Sequence, residues 1–415
     1  MMVAPKLRFK ADDGSDFSGW EEKTLGELCA PLTYGMNAAA TKFDGENRYI
    51  RITDIDDETH ALLPNDIVSP SGELDDKYLV KKGDILLART GASTGKSFLY
   101  HPKDGKLFYA GFLIKAHVLP SSDDYFIYSQ TLTDRYWKWV KTASMRSGQP
   151  GINANEYASY SFAVPSLPEQ RKIADFLSAV DAVIAAQQAE VDAWEQRKKG
   201  VMQKLFSQEV RFRADDGSDF PDWEEKTLGE EGQFYGGLSG KGKDDFDCGN
   251  GRFVTYMNVY KNTFASRDAM GRVKVGDTEK QNKVRYGDIL FTQSSETVDE
   301  VGLSSVYLYN DEPYLNSFCM GYRFNNLDNV CPEFIGYCMR SNEIRKSIML
   351  MGQGISRINL GAKRLATVKY KIPSLSEQRK IADCLASMDE VIQKSKGELA
   401  KWQELKKGLL QQMFM

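Results

Sequence analysis

The sequence has few of the residues that build metal sites or disulfide frameworks. It contains three histidines, His60, His101 and His117, and six cysteines with no Cys-x-x-Cys pair. A structural zinc is therefore not expected, and we predict reduced thiols and a cytoplasmic protein. No run of about 18 apolar residues occurs, so no transmembrane helix is predicted. The first residues also lack the apolar core of a signal peptide.

The chain also lacks a strong excess of charge of one sign. Its 54 basic and 58 acidic residues give a formal net charge of −4. This balance argues against a protein that binds a polyanion through bulk positive charge, although a locally basic face remains compatible with it. With 415 residues, 41% of them hydrophobic, the chain is long enough for two to four globular domains.

An internal repeat is the most informative feature. Residues 7–27 and 210–230 are identical at 17 of 21 positions, and residues 165–175 match 373–383 with one difference. Between these near copies, residues 28–160 and 231–370 share little beyond Gly-Asp-Ile-Leu (83–86 and 287–290) and Ile-Asn (152–153 and 358–359). This pattern predicts two halves of about 205 residues, in which a constant frame holds two different recognition inserts.

The repeated segments at the end of each half predict two long helices. Apolar residues recur at alternating spacings of three and four, which is the pattern of a coiled-coil seam. The apolar seam residues are Ile173, Leu177, Val180, Ile184, Val191, Trp194, Ile381, Leu385, Met388, Ile392, Leu399 and Trp402. Polar residues interrupt both seams at equivalent places, Gln187 and Ser395, then Lys198 and Lys406. Each helix would be about 58 Å long.

The two helices need a partner for their apolar stripes. We predict that they pair with each other, antiparallel, because two copies in one chain have a high effective concentration. Parallel pairing and a homodimer through the same seam are the alternatives. The expected fold is α+β, with two globular domains (1–164 and 208–372) separated by two helices (165–207 and 373–415) in a pseudo-two-fold antiparallel coiled coil.

Each insert is expected to mix short strands with short helices. Strand-like runs are residues 85–88, 253–256 and 289–292, and helices are expected at Tyr125–Lys141 and Pro332–Leu350. Loops rich in Gly, Ser, Gln, Asn, Arg and Lys could bring backbone amides to phosphates and planar side chains to base edges. Ordinary surface turns are the alternative interpretation. The candidate DNA-binding residues are Arg89, Thr90, Ser93, Lys96, Arg146, Gln149, Asn153, Lys241, Lys243, Gln293, Gln353, Arg357 and Asn359.

No catalytic motif is complete. The run from Gly91 to Ser97 resembles a phosphate-binding loop but has three residues between its glycines where the motif requires four. The acidic residues near Trp223 are too close in sequence for a two-strand nuclease site, and no metal-spaced histidine cluster or nucleophile elbow occurs. A P-loop-like NTPase or nuclease is therefore a weak alternative, and no catalytic or metal-ligating residue is predicted.

Two variable inserts, each followed by Pro-Ser-Leu-x-Glu-Gln-Arg-Lys-Ile-Ala-Asp, resemble the specificity (S) subunit of a Type I restriction–modification system over essentially the whole chain. The Gly-Asp-Ile-Leu runs are similar to segments of that family's target recognition domains, as is Arg89-x-Gly91. The second copy departs from the pattern, because Phe-Thr-Gln-Ser-Ser follows its Gly-Asp-Ile-Leu.

The resemblance implies a non-catalytic subunit in which each insert reads half of a bipartite, gapped DNA target. It also implies that the paired helices set the gap and dock two modification (methyltransferase) subunits, with restriction subunits completing the complex. S-adenosylmethionine and ATP would bind those partners, so this chain is expected to bind neither. A coiled-coil scaffold that binds only proteins is the main alternative.

Overall fold

The computed structural model describes residues 5–145, 148–354 and 357–414. The chain forms two compact units, the first made of residues 1–188 and 397–415 and the second of residues 189–396. Each long helix is divided between the units and contributes to both, whereas sequence analysis treats the helices as separate segments. Within the described ranges, no helix combines the length and apolar character needed to cross a membrane.

The first unit is built around a four-stranded antiparallel sheet. Its strand order is Thr33–Tyr34, Leu113–His117, Asp84–Ala88 and Ser97–Leu99. The other strands pair two by two: Glu21–Thr24 with Ser161–Val164, Ala40–Lys42 with Val68–Pro70, and Arg48–Ile50 with Leu107–Tyr109. The helices are Leu25–Leu28, Asp124–Gln130, Asp134–Ala143, Ala154–Ala158 and the first long helix, Leu167–Phe206.

The second unit repeats this plan with a different sequence. Its four-stranded sheet has the order Gly232–Gly236, Cys319–Phe324, Ile289–Thr292 and Ser304–Val306. Further strands are Glu224–Thr227, Phe246–Val254, Met270–Val273, Ser294–Ser295, Tyr314–Leu315, Ile358–Asn359 and Lys369–Ile372. The helices are Leu228–Glu231, Tyr256–Lys261, Pro332–Met339, Asn342–Met349, Ala362–Leu365 and the second long helix, Leu375–Met413.

The central strand of each sheet begins at the shared Gly-Asp-Ile-Leu run. Gly83 and Gly287 adopt positive φ angles of 90° and 82°, which favour glycine. The carboxylate of Asp84 accepts a hydrogen bond from the Lys81 amide (2.7 Å) and lies 2.7 Å from His117 Nδ1. This arrangement fixes the turn that starts the strand.

Asp288 has the same role in the second unit. Its carboxylate accepts hydrogen bonds from the Arg285 amide (2.8 Å), the Tyr235 hydroxyl (2.6 Å) and the Arg323 guanidinium (2.6 and 2.9 Å). Burial, followed by the nearby Asp288 charge, raises the pKa of Tyr235 and keeps that hydroxyl a donor. The shared motif is therefore structural in both units.

The seam residues of the long helices face inward. Nine of the twelve apolar ones are buried, and Ile184, Trp194 and Trp402 are half-buried. In the first unit, Leu410 and Met413 pack in one core with Ile173 and Leu177. Since Lys406 Nζ lies 2.6 Å from Asp181 Oδ1, the two helical segments of this unit run antiparallel.

Contacts in the second unit give the same direction. Lys198 Nζ lies 2.5 Å from Asp389 Oδ1, and Lys396 Nζ lies 2.6 Å from Glu195 Oε1. Rising numbers on one helix therefore meet falling numbers on the other. The two polar seam lysines, Lys198 and Lys406, are used for these ion pairs, which add a register-specific contact to the apolar packing.

Three secondary-structure predictions need correction. The single helix expected at Tyr125–Lys141 is two helices, because the Thr133 side chain accepts a hydrogen bond from the Tyr136 amide (3.2 Å) and starts a new helix. The helix expected at Pro332–Leu350 is likewise interrupted between Met339 and Asn342. The strand expected through Tyr256 ends at Val254, because Thr255 caps the helix that follows.

Candidate nucleic-acid interface

Two of the predicted loops meet in the first unit. The chain that leaves the strand Asp84–Ala88 forms an antiparallel bridge from Thr90 to Gly151. The Ile152 amide donates to the Arg89 carbonyl (2.9 Å), and the Gly91 amide donates to the Pro150 carbonyl (3.0 Å). We call residues 89–95 and 148–153 the first loop pair.

Arg89 is held at the surface of this loop pair. Its guanidinium carbon lies 4.7 Å from the centre of the Tyr34 ring, and Nη1 lies 3.4 Å from the Gly111 carbonyl oxygen. Both Arg89 and Thr90 are half-buried, and Tyr34 and Gln149 are exposed. The contact with the Tyr34 ring positions the guanidinium and leaves donors for a ligand, as planar recognition of a base edge requires.

The second unit contains the equivalent arrangement. Gln293, which occupies the place of Arg89 after the strand Ile289–Thr292, accepts a hydrogen bond from the Leu360 amide at 2.9 Å. Ser294 pairs with Asn359, and the backbones of Gln353 and Asn359 exchange hydrogen bonds of 3.0 and 2.7 Å. We call residues 293–295 and 353–354 with 357–360 the second loop pair.

The two loop pairs present different side chains on a common backbone. The surface of the first loop pair carries Arg89 and Gln149. The second loop pair exposes four other residues: Gln293, Gln353, Arg357 and Asn359. Sequence analysis did not anticipate Tyr34, which lies far from Arg89 in sequence. The second unit has no matching tyrosine, because Gly236 lies opposite Met320 where Tyr34 lies opposite Ile114.

The structure places the side chain of Lys96, a predicted DNA-binding residue, inside the first unit and not at its surface. Its side chain is 7% exposed and forms an ion pair with Asp57, and Nζ donates to the Ile55 carbonyl at 2.9 Å. The neighbouring Ser97 hydroxyl lies 2.7 Å from the Thr131 hydroxyl. The P-loop-like run therefore directs its lysine into the unit, and its ammonium is used for internal contacts.

Lys241, another predicted DNA-binding residue, is also paired inside its unit. Its side chain is 5% exposed and Nζ lies 2.5 Å from Glu279 Oε2, so its charge is neutralised within the unit. Lys243, by contrast, is exposed at the start of a short 3-10 helix.

Asn153 proves to be a helix cap. Its side-chain oxygen accepts a hydrogen bond from the Glu156 amide (3.0 Å), and the Glu156 carboxylate accepts one from the Asn153 amide (2.8 Å). This capping box engages the side-chain oxygen of Asn153, which sequence analysis names as a candidate DNA-binding residue. Ser93 is a half-buried turn residue whose carbonyl accepts from the Lys96 amide. Arg146 lies outside the described residues.

Groups of histidine, cysteine, aspartate or glutamate arranged to hold a metal ion do not occur within the part of the chain that the structure describes. The six cysteines are unpaired. Burial raises the pKa of the Cys29 and Cys319 thiols to about 12.

Comparison with known proteins identifies the family. The family model for the Type I restriction modification DNA specificity domain matches residues 18–193 and again residues 221–401. The Type I restriction enzyme MjaVIII specificity subunit of Methanocaldococcus jannaschii is 24% identical, covering 80% of this chain and 79% of its own length. The putative MjaX specificity subunit of the same organism is also 24% identical, covering 97% and 94%.

Solved structures show the same fold. The S subunit of a Type I restriction–modification system from M. genitalium superimposes with a TM-score of 0.55 at 18% identity, covering 100% of this chain and 99% of that one. A chain from a structure of a type I R-M system gives 0.57 at 18% identity, covering 95% and 97%. Because the family model spans most of this chain in two copies, the chain belongs to the Type I restriction modification DNA specificity domain family, as a DNA sequence-specificity subunit.

Proposed function

We propose that each unit reads one half of a bipartite, gapped double-stranded DNA target through its loop pair. The observation that carries this proposal is the common backbone of the two loop pairs combined with their different exposed side chains. Backbone amides that pair the loops hold the geometry constant, while side chains such as Arg89 and Gln293 differ. Two unlike sets of base contacts would recognise two unlike half-sites.

The exposed side chains suit base recognition chemically. A guanidinium donates two parallel hydrogen bonds to guanine, and a glutamine or asparagine amide matches adenine. Arg89 and Arg357 supply the first kind of group, and Gln149, Gln293 and Gln353 the second. The small net charge of the chain fits a subunit whose partners make many of the phosphate contacts.

The long helices would serve as spacer and docking surface. Their antiparallel contacts within each unit and their buried seams support a coiled coil with near two-fold repetition of its parts. In this proposal two methyltransferase subunits dock on the repeated frame, and restriction subunits complete the complex. S-adenosylmethionine and ATP bind those partners, this chain contributes no catalytic group, and the complex acts on cytoplasmic DNA.

Methylome sequencing of a host that carries this gene with its methyltransferase partner tests the proposal. The expected result is one asymmetric target with two short specified halves and an unspecified gap. Exchanging residues 28–160 for the corresponding insert of another such subunit should change one half and leave the other half and the gap unchanged. Changes in both halves would contradict independent reading, and methylation without sequence preference would favour a protein-only scaffold.

A further inference from the structure

Two exposed phenylalanines occupy equivalent positions in the two units. Phe112 is 64% exposed and Phe318 is 57% exposed, although burying a phenylalanine is normally favourable. Each directly precedes a central strand, Leu113–His117 or Cys319–Phe324, that pairs with the Gly-Asp-Ile-Leu strand. The surrounding sequences differ, Ala-Gly-Phe-Leu in one unit and Asn-Ser-Phe-Cys in the other.

The same backbone turn displays both rings. In the first unit the Leu113 amide donates to the Ala110 carbonyl at 2.8 Å, closing a four-residue turn with Phe112 at its third position. In the second unit the Cys319 amide donates to the Asn316 carbonyl at 3.0 Å, with Phe318 in the same place. Each ring is therefore carried on a hydrogen-bonded turn.

A glycine that follows an edge strand lies against each turn. The Gly35 amide donates to the Leu113 carbonyl (3.1 Å), and the Gly237 amide donates to the Cys319 carbonyl (3.3 Å). A Cβ atom at Gly35 would lie 2.2 Å from the Ala110 carbonyl oxygen, and one at Gly237 would lie 2.1 Å from the Asn316 carbonyl oxygen. The close approach of these backbones restricts the position of each turn.

Each phenylalanine adjoins the loop pair of its unit. The Phe112 carbonyl accepts a hydrogen bond from the Arg89 amide at 3.1 Å, and the Phe318 carbonyl accepts one from the Gln293 amide at 2.9 Å. The residue proposed to read a base is thus hydrogen-bonded to the residue that carries the exposed ring. The exposed groups beside each ring are a guanidinium or an amide. The combination of an apolar ring with hydrogen-bonding groups favours a ligand that offers both an apolar surface and hydrogen-bond partners.

We propose that Phe112 and Phe318 each contact a DNA base in the half-site read by their own unit, which rests on the proposed function. In duplex DNA, thymine offers a methyl group in the major groove, and a base-pair step that is wedged open offers an aromatic face. Both are apolar partners for a phenylalanine ring. The polar neighbours supply hydrogen bonds to base edges, and the ring supplies an apolar contact that Arg89 and Gln293 cannot make.

The test uses the complete chain assembled with its methyltransferase partner and a library of randomised DNA duplexes. Phe112→Ala should weaken binding of the duplex selected by the wild-type complex roughly tenfold. It should also remove or change the preference at a base pair in one half-site. Phe318→Ala should do the same in the other half-site, so each variant controls for the other. Leu74→Ala, which shortens another exposed apolar side chain of the first unit, should leave both halves unchanged.

Other outcomes separate this inference from the proposed function. A wild-type complex that selects no sequence would overturn both. Unchanged affinity and base preference in Phe112→Ala and Phe318→Ala, with a selective wild-type complex, would overturn the inference alone. The same holds if the variants lose the methyltransferase subunit in size-exclusion chromatography while base preference is retained, because the rings would then dock protein. Phe112→Leu, which keeps an apolar side chain without the ring, should lose less affinity than Phe112→Ala.

Discussion

Arg8 binds the buried carboxylate of Glu169 through two hydrogen bonds, Nε to Oε1 at 2.9 Å and Nη2 to Oε2 at 2.7 Å. The same guanidinium donates to the Ser18 carbonyl at 2.8 Å. It thereby joins the repeated segment near the start of the chain to the first turn of the long helix. The hydrogen bond to Glu169 is the main cause that raises the pKa of Arg8.

Arg211 and Glu377 repeat this arrangement in the second unit, at 3.1 and 2.8 Å. Arg211 also donates to the Pro221 carbonyl at 2.6 Å. Both glutamate side chains are fully buried, so each arginine compensates a charge that has left water. The near-identical segments 7–27 and 210–230 thus each supply the arginine of a buried ion pair at the start of a long helix.

Removing one arginine should destabilise its own unit. We expect Arg8→Met to lower the free energy of unfolding of the first unit by about 3–5 kcal/mol, because Glu169 would remain buried without its cation. Hydrogen exchange of backbone amides, followed by mass spectrometry, can locate the loss. Arg211→Met should produce the matching effect in the second unit. Lys10→Met, which breaks a solvent-exposed pair with Asp16, is the control and should cost less than about 1 kcal/mol.

The constant frame, including both long helices, could be predicted from the sequence because its determinants are local and occur in both halves of the chain. The alternating spacing from Ile173 to Val191 indicates a buried helix face without reference to distant residues. The loops were harder, because side-chain direction there depends on tertiary contacts. Lys96 lies in a glycine-rich run that resembles a phosphate-binding loop. Its ammonium instead donates to the carbonyl of Ile55, which is 41 residues away in sequence, and periodicity cannot reveal such a contact.

Phe112 is a surface residue that sequence analysis did not single out. A phenylalanine beside a strand is normally assigned to the core, so composition gives no reason to expect it at the surface. Its recurrence as Phe318, 206 residues later and next to otherwise different residues, was the available signal. Tyr34 was missed because its partner, Arg89, comes from a strand end that only the sheet topology brings near.

The contrast between Arg89 and Lys96 gives a prediction about DNA reading. Arg89→Ala should weaken binding of the selected duplex roughly tenfold and relax the preference in one half-site, because it removes an exposed planar donor. Lys96→Met should leave base preference unchanged and lower stability by about 1–3 kcal/mol, since it removes the buried donor to the Ile55 carbonyl. Affinity by titration and stability by thermal denaturation separate the two effects. Altered base preference in Lys96→Met would show that the lysine reads DNA after all.

His60 predicts a pH dependence of stability in the first unit. Burial lowers its pKa below the ordinary value, and Nδ1 lies 2.8 Å from the Ser97 carbonyl oxygen. The unfolded chain therefore binds a proton at a higher pH than the folded chain. Stability should fall as the pH drops below about 6.5, by at most about 1.4 kcal/mol per pH unit from this residue.

His60→Asn isolates that contribution. Asparagine tolerates the positive φ angle of 58° at this position and can still donate to the Ser97 carbonyl, but it does not titrate. Denaturant unfolding between pH 7.5 and 5.5 should show a shallower loss of stability in the variant. Identical slopes in the two proteins would mean that His60 is protonated equally in the folded and unfolded chains.

Thiol labelling should distinguish the cysteines by burial. Cys248 is exposed, whereas Cys29, Cys319 and Cys338 are buried and burial raises the pKa of each to about 12. Cys248 should therefore react first with a maleimide in the native protein, and half-buried Cys384 should react more slowly. The buried thiols, which also include Cys331, should react only after denaturation. Peptide mass spectrometry identifies the labelled sites. Cys248→Ser should abolish the fast phase, and a fast phase that remains and labels a buried cysteine would show that this thiol is transiently accessible.

The proposed spacer role predicts how a lengthened helix pair changes the target. One heptad inserted after Lys199 and one inserted before Asp389 would lengthen both antiparallel helices. These insertions would preserve the seam and the Lys198–Asp389 ion pair. Seven residues add about 10 Å of helix, which corresponds to roughly three base pairs of B-DNA. Methylome sequencing should then show a gap longer by about that amount between two unchanged half-sites. Inserting only one heptad leaves the added turns without a partner and should reduce stability, so it serves as the control. An unchanged gap in the doubly extended protein, with methylation retained, would mean that another part of the complex sets the spacing.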